Sequence, residues 1–219
     1  MSKVTVFGAG AWGSTMAQVL SDAGNDVLLW GRSQQVIDEI NSSHTNAKYL
    51  ASHILPSAIT ATTDLSSAFA FSEMYVLAIP AQQIRATLQE WKGNFSSTCT
   101  IVSTLKGIEI SSQKRMTEVI EDVLGPRKIA IITGPNLADE LVLRQPAGAV
   151  AAAATTELAE SIRELFRTPY YRVYTSVDVM GCELAGSINL CASVIVQTFI
   201  YFRPTEIIRK DDFCLRFYW

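Results

Sequence analysis

Short apolar runs alternate along the chain with longer stretches in which apolar residues recur every three or four positions. Residues 4–7 (Val-Thr-Val-Phe) read as a buried strand. Residues 12–23 follow with Met16, Val19 and Leu20 on one helical face, and Gly24 closes the helix. Residues 27–30 form a second strand, and Ser33 stands where it can cap the next helix. Three further β-like runs lie at 75–79, 100–103 and 129–133, with helical segments near 81–91, 112–124 and 137–143 between or after them. The stretch 147–154 is two-valued. Its alanines favour helix, whereas Pro146 and Gly148 argue for strand, and strand is the preferred reading. A helix over 157–166, a strand over 171–174 and a helical stretch from Ser176 complete the series. Such alternation predicts an α/β sheet with helices on both faces.

Composition supports a packed core, with 48% hydrophobic and 18% charged residues among 219. The net charge of −3 gives no electrostatic reason to expect a nucleic-acid partner. The longest late apolar run, 191–202, is interrupted by Gln197 and Thr198 and falls short of the roughly 20 residues a membrane span needs. With no signal-peptide pattern before the first strand, the expected location is cytoplasmic. Cys99, Cys182, Cys191 and Cys214 show no CxxC pair and no nearby His, so buried thiols are expected and no metal site is. His44 and His53 fall in the loop after the second helix, with no partner evident from spacing.

The chemistry is concentrated behind the strands. Gly8-Ala9-Gly10-Ala11-Trp12-Gly13 follows the first strand directly and opens a helix, the context in which a GxGxxG pattern becomes specific. Gly8 permits the tight turn, Gly10 lets backbone approach a pyrophosphate, and Gly13 lets helix pack on strand. The second strand ends Leu29-Trp30-Gly31-Arg32, without the acid that would bond a ribose 2′-hydroxyl. Arg32 can stack on adenine and fork toward a 2′-phosphate, so NADP is preferred, with NAD as the alternative. Ser103-Thr104-Leu105-Lys106-Gly107-Ile108-Glu109 places Lys106 past a strand's carboxyl end, where open α/β sheets bind ligands. In Thr133-Gly134-Pro135-Asn136-Leu137-Ala138-Asp139-Glu140, Pro135 suits the first turn of a helix, which would put Gly134 and Asn136 at an anion-accepting N-terminus.

Together with Tyr49-Leu50, these motifs resemble, in order and spacing, bacterial NAD(P)-dependent glycerol-3-phosphate dehydrogenase. The resemblance runs from Lys3 to about Ile188 and includes Val173-Tyr174-Thr175-Ser176 and Glu183-Leu184-Ala185-Gly186-Ser187. It implies a Rossmann-like doubly wound sheet over 1–188, followed by only the beginning of a helical C-terminal domain. It further implies reversible reduction of dihydroxyacetone phosphate to sn-glycerol 3-phosphate for phospholipid synthesis. By the same resemblance Trp12, Arg32, Tyr49 and Ala138 contact the cofactor, Lys106 lies where cofactor and substrate meet, and Gly134 and Asn136 line the substrate site. Position 11, usually Ser in the family, is Ala here.

Two departures stand out. The family's Gly-[Ala/Ser]-hydrophobic-Lys-Asn segment reads Gly186-Ser187-Ile188-Asn189-Leu190 here. Either the lysine has become Asn189, or one residue is missing and Asn189 is the family's asparagine; neither leaves an ammonium. Beyond about Leu190 the resemblance stops. The tail 189–219 holds seven of the chain's twenty aromatics within its last 21 residues, which reads as a truncated or frameshifted continuation. An alternative expectation is therefore a catalytically impaired cofactor-binding remnant. A homodimer is suggested by the family alone, whose members often pair through the helical domain.

Overall fold

The computed structural model describes residues 1–187 of the chain. Its strands are β1 (Lys3–Phe7), β2 (Asp26–Trp30), β3 (Thr60–Thr62), β4 (Met74–Leu77), β5 (Thr100–Ser103), β6 (Lys128–Thr133), β7 (Ala147–Ala153) and β8 (Tyr171–Ser176). Its helices are α1 (Ala11–Asp22), α2 (Gln34–Ser43), α3 (Ala47–Leu50), α4 (Leu65–Phe71), α5 (Ile84–Trp91), α6 (Met116–Leu124), α7 (Ala138–Val142) and α8 (Thr156–Phe166), and residues 179–187 are helical as well. The strands form one sheet in the order β3-β2-β1-β4-β5-β6-β7-β8. The first six run parallel, β7 pairs antiparallel with β6, and β8 follows β7 in parallel. Strand order therefore reverses on either side of β1, and such a reversal opens a crevice beyond the strands' carboxyl ends.

Alternate strand residues feed two cores. Val4, Val6, Val27, Leu29, Val76 and Val102 pack with α1, α2 and α8 on one face. Phe7, Leu28, Trp30, Tyr75, Leu77 and Ile101 pack with α4, α5 and α6 on the other. The near-continuous apolar strands follow from this two-sided burial. Thr5 is polar yet fully buried; its Oγ1 donates to the Ala68 carbonyl at 2.9 Å.

Stretch 147–154 is a strand, as preferred, because it is hydrogen-bonded on both edges and its alanines leave room for α8. Three expectations shift. The helix expected from Ser112 begins at Met116: Ser112 Oγ bonds Glu109 instead, and Glu118 accepts the Arg115 N–H at 2.9 Å to start the helix. Ser33 does occupy the cap position of α2, but its side chain makes no capping bond. Pro135 lies outside a helix: α7 starts at Ala138 with Leu137 extended before it, so Gly134 and Asn136 sit in a connection and not at a helix N-terminus. Short α3, β3 and α4 were absent from the sequence pattern. Asn189 and the tail, with Cys191 and Cys214, lie outside the described residues, as does the end of the 1–188 segment at Ile188.

Candidate functional site: a glycine-floored cleft

A cleft of about 760 Å³ opens over the carboxyl ends of β1, β2 and β4. Its floor is the turn from Gly8 to Trp12. Gly8 has φ of +121°, a conformation open to glycine, and a Cβ there would strike the Ala78 carbonyl. A Cβ on Gly13 would collide with the Gly8 carbonyl, so α1 packs against its own leading turn. Gly10 differs: a Cβ there would meet nothing within 4 Å, and it would project into open space. Gly10 is also the N-cap of α1, which has no side-chain capping bond and no acid in its first turn. Free N–H groups, the positive end of the helix dipole and room above the backbone suit an anion such as a pyrophosphate. The Trp12 indole N–H is buried without a partner among the described residues, leaving a donor for a ligand. These features fit a dinucleotide.

Arg32 and Tyr49 border one side of the cleft; Arg32 is exposed and makes no ion pair among the described residues. Ile79, Pro80, Gln83 and Thr87 line another side, and Trp30 and Trp91 reach the cleft from the aromatic core, their rings 4.9 Å apart and edge to face. Sequence reasoning did not single out Ile79, Pro80, Gln83, Thr87 or Trp91, because they carry no motif; only their position after β4 and on α5 could have flagged them.

Lys106 completes the rim. Its Nζ donates to the Gly134 carbonyl at 2.9 Å and lies 5.8 Å from the centre of the Trp12 ring. No carboxylate pairs with it among the described residues, and burial pushes its pKa below the ordinary lysine value. Gly134 is where two backbones meet, since a Cβ would lie 2.6 Å from the Gly148 carbonyl oxygen. Asn136 Nδ2 donates to the Tyr171 hydroxyl at 3.3 Å, and burial raises the pKa of that phenol. Nearby, the Thr133 hydroxyl is buried and unpartnered among the described residues, and a Cβ on Gly186 would strike it. Helix 179–187 is held there by Glu183, which accepts from Arg115 at 2.8 Å and from the Thr117 N–H at 3.0 Å. The Gly107 N–H also donates to Ser187 Oγ at 3.2 Å.

Of the residues expected to act, Gly8, Gly10, Trp12, Arg32, Tyr49 and Lys106 line this one cleft, and Gly13 lies beneath it. Gly134 joins through Lys106, with Asn136 beside it. Ala138 is the first residue of α7 and is not among the cleft's lining residues. Among the described residues no cluster of His, Cys, Asp or Glu could hold a metal, and Cys99 and Cys182 are free thiols. His53 does have a partner: its Nε2 lies 2.8 Å from Gln18 Oε1.

A reversing parallel sheet, a glycine turn opening a helix and a cleft at the reversal define a dinucleotide-binding α/β protein. The chain belongs to the NAD-dependent glycerol-3-phosphate dehydrogenase family, whose N-terminal model matches residues 3–159. It is 45% identical over 189 residues to the NAD(P)+ glycerol-3-phosphate dehydrogenase of Streptomyces avermitilis, covering 85% of this chain and 56% of that protein. To the enzyme of the same name from Corynebacterium diphtheriae it is 44% identical over 195 residues, covering 88% and 58%. The chain thus spans somewhat more than half the length of these relatives. The solved glycerol-3-phosphate dehydrogenase of Coxiella burnetii superimposes with a TM-score of 0.78 at 26% identity, over 84% of this chain and 57% of that one. No helix among the described residues is long and apolar enough to cross a membrane.

Proposed function

We propose that the cleft binds a nicotinamide dinucleotide, NADP(H) in preference to NAD(H), and that the chain serves reduction of dihydroxyacetone phosphate to sn-glycerol 3-phosphate. The observation that carries this reading is the half-buried Lys106 ammonium, with which no carboxylate pairs among the described residues, at the rim of a glycine-floored cleft. The bound dinucleotide would supply hydride chemistry. Gly8, Gly10 and Gly13 shape the pyrophosphate floor, with Trp12, Tyr49 and Ala138 as further cofactor contacts. Arg32 offers donors to a 2′-phosphate. Lys106 presents a positive charge to the substrate's phosphate or ketone oxygen, and Gly134 and Asn136 border the same space.

The ketone oxygen must also gain a proton. A positioned acid contributes about 10²–10⁴ in rate. No lysine follows Gly186-Ser187, where the sequence instead reads Ile188-Asn189-Leu190. An asparagine amide donates a hydrogen bond but gives up no proton. This observation favours a second reading, in which the chain binds cofactor without efficient turnover.

Calorimetric titration of the purified chain with NADPH and NADH, followed by an assay with dihydroxyacetone phosphate, tests both. Heat of association with NADPH and oxidation of it by the ketone is expected under the first reading. Binding without oxidation selects the second, and no heat with either nucleotide overturns both.

A further inference from the structure

One wall of the cleft is carried by a segment with little regular structure, residues 45–55, and one fully buried polar side chain ties it to the floor by hydrogen bonds. Asn46 Nδ2 donates to the Ala9 carbonyl at 3.1 Å, inside the glycine turn, and to Ser14 Oγ on α1 at 2.9 Å. Its backbone carbonyl accepts the N–H groups of Tyr49 at 3.0 Å and Leu50 at 2.8 Å, so the same residue starts the turn that presents Tyr49, while its side-chain Oδ1 is buried without a partner among the described residues. The segment's other ties lead elsewhere. Thr45 Oγ1 and the Ala47 N–H donate to Glu39 on α2 at 2.7 Å each, His53 pairs with Gln18, and the Leu55 N–H donates to the His44 carbonyl at 2.7 Å. Among these side-chain ties, only those from Asn46 reach the turn that would hold a pyrophosphate.

We propose that Asn46 is a positioning residue for the dinucleotide, setting the Tyr49 wall and the Ala9-Gly10 floor as one preformed unit. The inference rests on the cofactor reading of the cleft. Its physical basis is preorganisation: a wall already registered against the floor loses less freedom when a ligand spans both. A buried amide whose donors are satisfied by two different elements holds that register more narrowly than apolar packing, which tolerates sliding. Asn46 touches no ligand in this scheme; it acts through Tyr49 and the turn.

The test is a double-mutant cycle on NADPH affinity, read by calorimetry, with Asn46→Ala, Tyr49→Ala and the pair. Asn46→Ala is expected to weaken NADPH roughly tenfold in the wild-type background and less than about threefold where Tyr49 is already alanine, the loss of two hydrogen bonds being felt through the wall. A residue that merely stabilises the fold lowers the melting temperature but gives the same fold-loss in both backgrounds. Ser14→Ala removes one of the two acceptors with little change of volume. It repeats the cycle, with a weakening of about threefold expected, if Asn46→Ala does not fold. Equal losses in both backgrounds, or no loss at all while the wild type binds, overturns the inference and leaves the cofactor reading standing. A wild-type chain that shows no heat with NADPH overturns both.

Discussion

Three glycines in one turn do three different jobs, and single methyl groups separate them. On Gly13 the added carbon runs into backbone, which cannot swing aside, so Gly13→Ala is expected to cost about 1–3 kcal/mol in thermal unfolding. On Gly10 the same carbon meets no protein atom. Gly10→Ala should therefore melt within a few degrees of wild type yet lose at least roughly tenfold in NADPH affinity, because the methyl stands where the pyrophosphate would lie. Unchanged affinity would place the phosphates elsewhere. Arg32 argues at the same scale. A hydrogen bond to a charged group contributes about 1.5–3 kcal/mol, so Arg32→Ala should weaken NADPH by about one to two orders of magnitude and NADH far less. Equal weakening of the two in parallel titrations would refute its role at a 2′-phosphate. The glycines and Arg32 were legible in the sequence because motif and strand context fix their places. Asn46 was not, since a lone asparagine in a loop carries no spacing signal and its partners are 32 and 37 residues away.

Longer helices and buried strands declared themselves through periodicity, whereas α3, β3 and α4 are too short for a period to register. Element ends were less legible, as α6 and α7 show, because hydrogen bonds from Ser112 and the extended Leu137 backbone override the local pattern. His53 showed no partner by spacing because that partner, Gln18, sits on α1, 35 residues away, where it in turn donates to the Val142 carbonyl at 2.9 Å. Burial lowers the His53 pKa below the usual 6.5, with Arg144 adding to that and Asp22 opposing it. Asp22 is itself occupied by Arg144 and the Tyr170 hydroxyl. The unfolded chain therefore binds this proton more tightly than the folded one. Stability is expected to be fully present above pH 6.5 and to fall as pH drops below it. His53→Gln, which keeps an amide donor for Gln18 but cannot titrate, should flatten that part of the curve. Melting curves of the two proteins from pH 7.5 downward check this, and parallel curves would show that His53 is no more perturbed folded than unfolded.

For the molecule as a whole, alternation of strand and helix was enough to foresee a doubly wound sheet, and the position of the glycine turn was enough to place the cleft. The antiparallel entry of β7 was not foreseeable, because strand direction depends on which edge is free when the chain returns and not on the strand's own residues. Both cores abut the cleft floor: Ala9, Ala11 and Trp12 pack against one, and Ile79 and Leu105 against the other. A ligand that binds only when this floor is assembled stabilises the entire fold by mass action, by about 2.7 kcal/mol at a hundred times its dissociation constant. For a chain of this size that corresponds to a rise in melting temperature of roughly 5–10 °C with NADPH. Absence of any rise at such a concentration would mean that the nucleotide does not engage the folded cleft.

Three of the chain's four tryptophans, Trp12, Trp30 and Trp91, face this cleft, and the fourth, Trp219, lies outside the described residues. Indole emission overlaps the absorption band of a reduced nicotinamide, so excitation energy passes between them over such short distances. The protein thus carries its own optical reporter. Adding NADPH should dim the indole emission and brighten the nicotinamide's, whereas NADP+, which lacks that band, should leave the second signal dark.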